Sequence, residues 1–307
     1  MSTTTAPEQQ IVNISDEFCD QTQFKTINIS DIYKFERIDA RLYHLPTNYD
    51  MELSVPVEMN QICYIISGEG EIKKGGESAK LAAADSFSFL GEEYDTLYSF
   101  VTKGEAMDVL IITDVQKREE EATTGNKPSG IPTIVNSAAV AEWKWTGIFT
   151  TQVARLVSLT DMKVLRKQYW GFNLGRSPPG TQSSHAHAHS HEDEFVIILD
   201  GTARYWHQGE SPEHILKRGD IVGWKAGTGV CHSLLNDALD EGGSGQDLVF
   251  IVWGEDRPDD DLVHYAAANP PWWKDEIKWL NRPAYTQGPA PAMPRFPRPE
   301  DRAYPDQ

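Results

Sequence analysis

The chain is poor in cysteine and in positive charge. Its three cysteines, Cys19, Cys63 and Cys231, are too few and too scattered for a disulfide framework, so we expect a reducing compartment. Its 28 basic side chains are outnumbered by 46 acidic ones, which gives a formal net charge of -18. That excess argues against nucleic acid and anionic membranes as partners, because both would be repelled. A small anionic substrate at a local cation is not excluded.

Long apolar runs are also missing. None approaches the ~20 residues that a membrane-spanning helix needs, and the first residues lack the basic and apolar regions of a signal peptide. We therefore expect a cytoplasmic protein with no membrane partner and a flexible N-terminus over residues 1–24. A chain of 307 residues is long enough for two domains with cores of their own.

Histidine, by contrast, is concentrated in one place. Four histidines alternate along residues 185–191, at His185, His187, His189 and His191. An acidic cluster at 192–194 and an apolar run at 195–199 follow directly. Imidazole nitrogens and a carboxylate oxygen suit Fe(II), Mn(II), Ni(II), Zn(II) or Cu(II). A solvated histidine-rich loop is the alternative, but four alternating histidines are rare by chance, and the pattern therefore predicts a metal site.

Alternation alone does not select the ligands, because residues two apart point to the same face of a strand. The carboxylate and glycine downstream are more informative. Glu194 and Gly201 complete the frame His-x-His-x4-Glu-x6-Gly, which His187 and His189 fit. A second block follows, with a short predicted strand at 219–224, a glycine-rich turn, and another strand that begins at a histidine.

Together the two blocks resemble the two signature motifs of the cupin superfamily, which consists of small antiparallel jelly-roll barrels that can hold a metal ion. Carried over position by position, the resemblance implies these metal ligands: His187, His189, Glu194 and His232. The turn from Gly219 to the last of these is two residues longer than the family pattern, and the usual proline is replaced near Lys225. Neither departure removes a ligand.

A fainter copy of the pattern lies earlier in the chain. Residues 62–70 parallel 195–203, and residues 85–89 parallel 220–224. The repeat and the resemblance predict an all-β fold of two tandem cupin barrels, also called double-stranded β-helices or jelly rolls. Alternating apolar residues predict strands in the first barrel around residues 27–35, 40–46, 62–72 and 107–113.

The first copy lacks the histidines of the second. When the copies are aligned on their glycines and aspartates, its ligand positions are held by Ser54, Pro56, Gln61 and Leu97. We therefore expect a first barrel without metal. The predicted domains are a flexible N-terminus (1–24), a first barrel (25–115), a linker (116–135), a metal-binding barrel (136–256) and a Pro/Trp-rich C-terminal tail (257–307).

The predicted tail contains ten of the 18 prolines of the chain, a density that predicts an end to the sheet, since each proline removes a backbone donor. It also contains Trp272, Trp273 and Trp279. These could form a lid, a subunit arm or a strap on the surface of the chain itself. We favour the strap, because tryptophans are mostly buried and the nearest apolar surface is the chain's own.

Strand parity predicts which neighbours of the ligands face the pocket. The candidate substrate-pocket residues are His185, Val196, Ile198, Leu234 and Asn236. The apolar members would give an inner wall suited to an organic substrate. Asn236 could equally stabilise a turn, and we favour that role.

Three imidazoles and one carboxylate leave two positions free on an octahedral ion. The resemblance to bicupin dioxygenases favours one Fe(II) per chain and oxidation of a small oxygenated organic substrate. With Mn(II), Ni(II) or Zn(II), the same ligands suit a Lewis-acid isomerase, decarboxylase or lyase. A third hypothesis is a non-catalytic cupin that binds a small molecule. No second ionisable group is predictable as a general base, which favours a metal-centred reaction. The sequence leaves open whether the chain forms a homodimer.

Overall fold

The computed structural model describes residues 10–55, 59–89, 96–114, 130–140, 143–144, 152–155, 170–184, 186–207, 214–236, 245–255, 261–265 and 280–281. The chain divides into two compact units. The first unit is built mainly from residues 10–141, and the second mainly from residue 174 onward. Within the described ranges, no helix has both the length and the apolar character needed to cross a membrane.

Up to residue 139 the structure consists of short helices and antiparallel strands. In chain order these are β1 (Val12–Asn13), α1 (Ile14–Glu17), β2 (Lys25–Asn28), α2 (Ile29–Tyr33), β3 (Ile38–Leu45), β4 (Asp50–Val55), β5 (Gln61–Lys74), β6 (Glu77–Ala82), β7 (Asp85–Phe89), β8 (Thr96–Val101), β9 (Met107–Asp114), β10 (Val135–Asn136) and a 3-10 helix (Ser137–Ala139).

The long strand β5 organises the first unit, because it pairs with β6, β7, β8 and β9. The sheet continues from β9 through β3 to β2, and β4 pairs with β8. Side chains on one face of these strands form an apolar core that includes Cys63, Ile65, Phe87, Phe100 and Val109. Residues of the opposite parity, such as Ile62, Tyr64 and Ile112, are buried as well, so these central strands are covered on both faces.

The strand predicted over residues 27–35 is wrong in its second half. Only β2 is extended there, and α2 begins directly after it at Ile29. The Asn28 side chain caps this helix by accepting a hydrogen bond of 3.1 Å from the Asp31 backbone N–H, and Lys34 ends it in the left-handed region at φ 61°. Ile29 and Tyr33 are both buried and lie about one helical turn apart. The same spacing also places two residues on one face of a strand, so the apolar pattern alone could not distinguish a helix from a strand here.

After residue 142 the described elements are all strands. They are β11 (Trp143–Lys144), β12 (Gln152–Arg155), β13 (Trp170–Ser177), β14 (Thr181–Gln182), β15 (His187–His189), β16 (Glu194–Asp200), β17 (Thr202–His207), β18 (His214–Lys217), β19 (Asp220–Trp224), β20 (His232–Asn236), β21 (Leu248–Glu255), β22 (Leu262–Tyr265) and β23 (Leu280–Asn281).

Two sheets form the second unit. In one of them β16 lies between β19 and β21, and β13 follows β21. In the other the order is β18-β17-β20-β15-β22-β23. The buried faces carry Val196, Ile198, Val222 and Leu234, among others.

The internal repeat is visible in the backbone. Gly68 and Gly201 have φ values of 78° and 76°, and a Cβ at either glycine would lie 1.9 Å or 2.6 Å from a backbone carbonyl oxygen. Asp85 and Asp220 each accept a hydrogen bond from the backbone N–H three residues earlier, at 2.8 Å and 2.7 Å. The two units therefore share the same turns in the same places.

The described parts of the predicted linker and tail contribute more to the cores and sheets of the two units than the sequence predicted. Residues 116–129 of the linker lie outside the described ranges, but Ile131 and Ile134 pack on the core of the first unit, and β10 pairs with β7. In the tail, the proline-free stretch between Pro258 and Pro270 forms β22, which pairs with β15. The sheet therefore does not end at residue 256, as the sequence predicted, but continues into β22. Trp272, Trp273 and Trp279 lie outside the described residues.

Candidate metal centre

Strand pairing places the predicted ligands together. His187 of β15 is directly opposite His232 of β20, and partners in register project to the same face of a sheet. His189 follows two residues later on β15 and shares that face. Glu194 comes from β16 in the other sheet. The four side chains therefore meet between the two sheets of the second unit.

The donor atoms converge on the carboxylate. Glu194 Oε2 lies 3.0 Å from His232 Nε2, and it lies 3.9 Å from the Nε2 atoms of both His187 and His189. The His187 ring centroid lies 4.9 Å from that of His189 and 5.1 Å from that of His232. No more than about one seventh of any of these side chains is exposed.

This arrangement fits a metal ion. Nitrogen and oxygen ligands bind first-row divalent metals at about 2.0–2.2 Å, so two ligands of one ion lie about 3–4 Å apart. The three distances to Glu194 fall in that range. Neutral imidazoles and one carboxylate are a donor set that Fe(II), Mn(II), Ni(II) and Zn(II) accept. The residues present therefore fit the cofactor that the sequence predicts.

The electrostatics of the site favour an ionised carboxylate. Burial raises the pKa of Glu194, but the hydrogen bond with His232 and the charges of the three imidazoles outweigh burial and lower the pKa to about 2. Glu194 is therefore a fixed negative charge at any ordinary pH.

His189 is oriented by a carboxylate that sequence reasoning missed. Its Nδ1 atom lies 2.6 Å from Asp261 Oδ2 and 3.3 Å from Glu192 Oε2. Asp261 is itself held by Ser190 Oγ at 3.2 Å and by the His191 backbone N–H at 2.9 Å. A proton on Nδ1 leaves the Nε2 lone pair directed toward Glu194, the arrangement found behind many metal-binding histidines. Asp261 directly precedes β22, so no local motif indicates its role.

His232 is held differently. The Trp224 ring stacks on it with a centroid distance of 3.6 Å and an interplanar angle of 7°. Trp224 Nε1 donates a hydrogen bond of 2.8 Å to the Tyr205 hydroxyl, which fixes the indole. Within the described part of the chain, the buried Nδ1 atom of His232 has no hydrogen-bond partner. Stacking therefore replaces the carboxylate that orients His189.

The last histidine of the alternating run, His191, lies apart from this cluster. His191 is exposed, and its Nδ1 lies 2.7 Å from Ser190 Oγ. It does not belong to either described group of side chains that could hold a metal ion, which are His187 with His189 and Glu194, and His189 with Glu192 and Asp261. His232 also lies outside these groups, but its Nε2 atom contacts Glu194 Oε2 at 3.0 Å, and His191 has no such contact among the distances described. His185 lies outside the described residues.

A small cavity with room for about one water molecule adjoins the centre. Its lining consists of Ala188, His189, Glu192, Glu194, Trp224, Lys225, Thr228, Val230 and His232. Glu192 is 3 % exposed. The cavity therefore contains a second ionisable carboxylate beside the candidate ligands, which the sequence pattern did not place there.

The four predicted substrate-pocket residues that the structure describes are buried but do not line this cavity. Val196, Ile198 and Leu234 are each at most 3 % exposed. Asn236 donates hydrogen bonds from Nδ2 to the carbonyl oxygens of Ser177 and Gln246, at 2.7 Å and 2.9 Å. It ties the end of β13 to the segment before β21. A contact between any of these residues and a substrate stays a prediction.

The first unit differs at the positions that correspond to the candidate ligands. Ser54 of β4 pairs with Leu97 of β8, as His187 pairs with His232, but Ser54 is exposed and Leu97 is 53 % exposed. The neighbouring residues Leu53 and Tyr98 pack on the core instead. The alignment of the two copies on their glycines and aspartates therefore places Ser54 and Leu97 on the strands that correspond to those of the ligands, but on the face that points away from the core. Pro56 lies outside the described residues.

Comparisons with known proteins agree with this architecture. Residues 173–240 match the cupin domain family model, and a search of the curated proteins found no match. The fold is that of a cupin. A putative glyoxylate-induced protein from Pseudomonas aeruginosa is similar at a TM-score of 0.55 and 15% identity, over 76% of this chain and 80% of that one. A cupin 2 conserved barrel domain protein from Leptotrichia buccalis is similar at 0.53 and 14% identity, over 81% and 96%.

A mutant of oxalate decarboxylase from Bacillus subtilis is also similar, with a TM-score of 0.52 and 13% identity over 83% of this chain and 78% of that one. Likeness at this level of identity concerns the fold alone. The predicted fold of two tandem cupin barrels and the resemblance to the cupin superfamily are thereby confirmed. The reaction must be argued from the site, because one fold serves many chemistries.

Proposed function

We propose that the second unit binds one divalent metal ion through His187, His189, Glu194 and His232, and that the protein is an enzyme acting on a small oxygenated organic molecule at that centre. The observation that carries the proposal is the convergence of three imidazole Nε2 atoms on one buried carboxylate oxygen, within 3.0–3.9 Å. A histidine cluster without a role as ligands would gain nothing from this burial, since it is costly to bury groups that can carry charge.

Each protein group has a distinct part. Asp261 and Glu192 hold the proton of His189 at Nδ1, so that the lone pair of Nε2 remains available to a metal ion. Trp224 fixes the plane of His232 by stacking. Ala188, Val230 and Trp224 give the cavity apolar walls that limit the access of water. When bound, a divalent ion would supply a Lewis acid with open positions, and Fe(II) would also supply a centre that activates dioxygen.

Oxidation of a small substrate by dioxygen, with Fe(II), is the reaction class we propose first. Its support is the resemblance to bicupin dioxygenases and a ligand set that leaves positions for both substrate and dioxygen. His189, Glu194 and His232, which would hold the ion, line the cavity through which these positions would be reached.

One observation favours Lewis-acid chemistry as the second candidate. The buried carboxylate of Glu192 lines the cavity, so a group able to accept or donate a proton is at hand. A decarboxylase, lyase or isomerase needs such a group, and the sequence pattern did not reveal one. Among the proteins of similar fold, the oxalate decarboxylase of Bacillus subtilis contains Mn(II) centres.

The identity of the bound metal separates these candidates. Protein purified without chelator or nickel resin should contain about one metal ion per chain by elemental analysis. Iron, together with dioxygen uptake during a screen of catechols and enolisable substrates, supports oxidation. Manganese, nickel or zinc supports the Lewis-acid reaction. Absence of metal, in protein that also takes up none on incubation, would overturn the proposal and leave a barrel that only binds a small molecule.

A further inference from the structure

We infer that His44 carries a proton on both ring nitrogens and thereby holds residues 14–24 against the first unit, so that the loss of one proton loosens this segment. The segment, which we call the N-terminal latch, consists of α1 and the turn that follows it. His44 is the only histidine among the first 184 residues, and it belongs to the same compact unit as the latch. The inference is therefore independent of the metal centre.

Both ring nitrogens of His44 face oxygen acceptors. His44 lies on β3 and is 1 % exposed. Its Nδ1 atom lies 2.7 Å from Asp108 Oδ1, and its Nε2 atom lies 3.1 Å from the backbone carbonyl oxygen of Gln21. The second carboxylate oxygen of Asp108 accepts a hydrogen bond of 2.7 Å from Ser67 Oγ. An ionised carboxylate and a carbonyl oxygen only accept, and the imidazolium form of histidine alone donates from both nitrogens.

A neutral imidazole cannot satisfy both contacts. With the proton on Nε2 alone, the Nδ1 lone pair would face the Asp108 carboxylate, and with the proton on Nδ1 alone, the Nε2 lone pair would face the Gln21 carbonyl. Either form places two acceptors together at a buried position, which costs the desolvation of a polar group. The bond to the ionised carboxylate is the stronger of the two. Loss of one proton therefore breaks the contact with Gln21, which is the contact that holds the latch.

The latch also packs on His44 through Phe18. The ring centroid of Phe18 lies 5.3 Å from that of His44, and Phe18 is 1 % exposed. Gln21 Nε2 donates a hydrogen bond of 2.5 Å to the Phe18 carbonyl oxygen. The acceptor for His44 and the buried ring therefore belong to one turn, and release of Gln21 should also loosen Phe18.

The carboxylates around His44 come from two elements. Asp108 belongs to β9, and Asp20 belongs to the latch. Hydrogen bonds from Thr22 lower the pKa of Asp20, and the nearby charges of Lys25 and His44 lower it further. Two carboxylates against one ammonium favour the positive form of the imidazole.

The ammonium is that of Lys25 on β2, which is opposite His44 in register. Its Nζ atom lies 3.1 Å from the Glu17 carbonyl oxygen and 3.9 Å from Cys19 Sγ, both in the latch. This contact does not depend on the proton of His44. We therefore expect the loss of that proton to loosen the latch without detaching it.

Asp108→Asn separates the effect of charge from that of shape. The amide oxygen of the new side chain can accept from Ser67 Oγ, while its nitrogen donates to His44 Nδ1. A neutral His44 with its proton on Nε2 then satisfies both the amide and the Gln21 carbonyl. The latch of Asp108→Asn should therefore stay closed at high pH.

The experiment is limited proteolysis of the full-length protein with chymotrypsin, in which mass spectrometry identifies cleavage after the buried Phe18. Variants are compared with wild type at the same pH, so that the pH dependence of the protease cancels. Free imidazole loses its proton near pH 6.5. At about pH 9 we expect cleavage of wild type to be about tenfold faster than that of Asp108→Asn, and at about pH 6 no faster.

Two further variants bracket this result. His44→Gln removes the imidazole, so at about pH 6 it should be cleaved after Phe18 about tenfold faster than wild type. His214→Gln, at an exposed histidine of β18, is the matched control and should be cleaved at the rate of wild type. If His44→Gln does not fold, the comparison of wild type with Asp108→Asn decides the question.

Nitrogen-15 NMR measures the protonation of His44 directly, with its signals identified by their change in Asp108→Asn. At about pH 6 both ring nitrogens should carry a proton, and at about pH 9 one of them should not. A single protonated nitrogen at about pH 6 would overturn the inference. So would a ratio of cleavage between wild type and Asp108→Asn that is the same at both pH values.

Discussion

The two units have the same turns and different interiors. Gly68 and Gly201, and Asp85 and Asp220, occupy the same places with the same backbone roles. Yet the inner face of the first unit is packed with apolar side chains, where the second unit carries histidines and Glu194. The turns and strand pairing therefore maintain the cupin frame, while the chemistry depends on a few inward-facing positions that can change independently.

Gln61 is the clearest point of contrast. It occupies the position that Glu194 has in the second unit, and it is 5 % exposed. Its Nε2 donates a hydrogen bond of 3.0 Å to Thr113 Oγ1, and within the described ranges its Oε1 has no hydrogen-bond partner. A neutral amide is tolerated there because, among the residues that the structure describes, no imidazole contacts it that could stabilise a carboxylate.

The largest expected effect is the loss of metal when an inward histidine of the second unit is removed. His187→Ala should abolish stoichiometric binding, because one of four converging donors disappears. His191→Ala is the matched control and should keep the metal, since this exposed side chain lies outside the cluster. Elemental analysis of both variants gives the answer. Equal loss in the two variants would show that the ligand frame is misassigned.

Exchange of the contrasting pair tests the first unit. Gln61→Glu should lower the free energy of unfolding by about 3 kcal/mol at pH 7, since it buries a carboxylate without a charged partner. It should not create a second metal site. Chemical denaturation and elemental analysis measure the two effects, and Glu194→Gln, which should lose metal, is the reciprocal variant. A second equivalent of metal in Gln61→Glu would mean that the first unit retains the elements of a site.

The third effect concerns the carboxylate behind His189. Asp261→Asn should weaken metal binding about tenfold to a hundredfold, the usual cost of altering a group that orients a metal-binding histidine. Asp247→Asn, at a half-exposed acidic residue paired with Arg176, is the control and should leave the affinity unchanged. Competition with a fluorescent chelator measures both. Unchanged affinity in Asp261→Asn would show that the hydrogen bond is structural only.

The most gradual expected effect is the dependence of metal affinity on pH. Metal affinity should fall as pH drops through about 6.5, where free imidazole gains a proton. Burial lowers the pKa of His189, but the hydrogen bond with Asp261 and the nearby carboxylates outweigh burial and raise it. A raised pKa means that protons begin to compete with the metal at a higher pH than for free imidazole. Each protonating imidazole should cost up to about tenfold in affinity per pH unit. Stoichiometric metal retained at about pH 4.5 would contradict this.

Local spacing was sufficient to predict which side chains lie close together in the second unit, and their binding of a metal stays a prediction. Two residues of strand separation bring His187 and His189 to one face, and the resemblance to two cupin motifs led to Glu194 and His232. The structure places all four together. The existence of two cupin units also followed from the motif and its faint repeat.

Features that depend on pairing between distant strands could not be predicted. Asp261 reaches His189 because β22 pairs with β15, across more than seventy residues. The face of β8 on which Leu97 lies depends on the length of the connection from β7, which differs from the length of the connection between β19 and β20. A difference of one residue is enough to turn a side chain to the opposite face of a strand. The stack of Trp224 on His232 joins two sheets, and no periodicity within either strand indicates it.

The most direct test of the central claim is the metal content of wild-type protein and His232→Ala, purified side by side without chelator or nickel resin. His232 lies on a different strand from the other candidate ligands and contacts Glu194 at 3.0 Å. We expect about one divalent metal ion per wild-type chain and none in His232→Ala. Equal metal content in the two proteins, or wild-type protein that neither contains nor takes up metal, would contradict it.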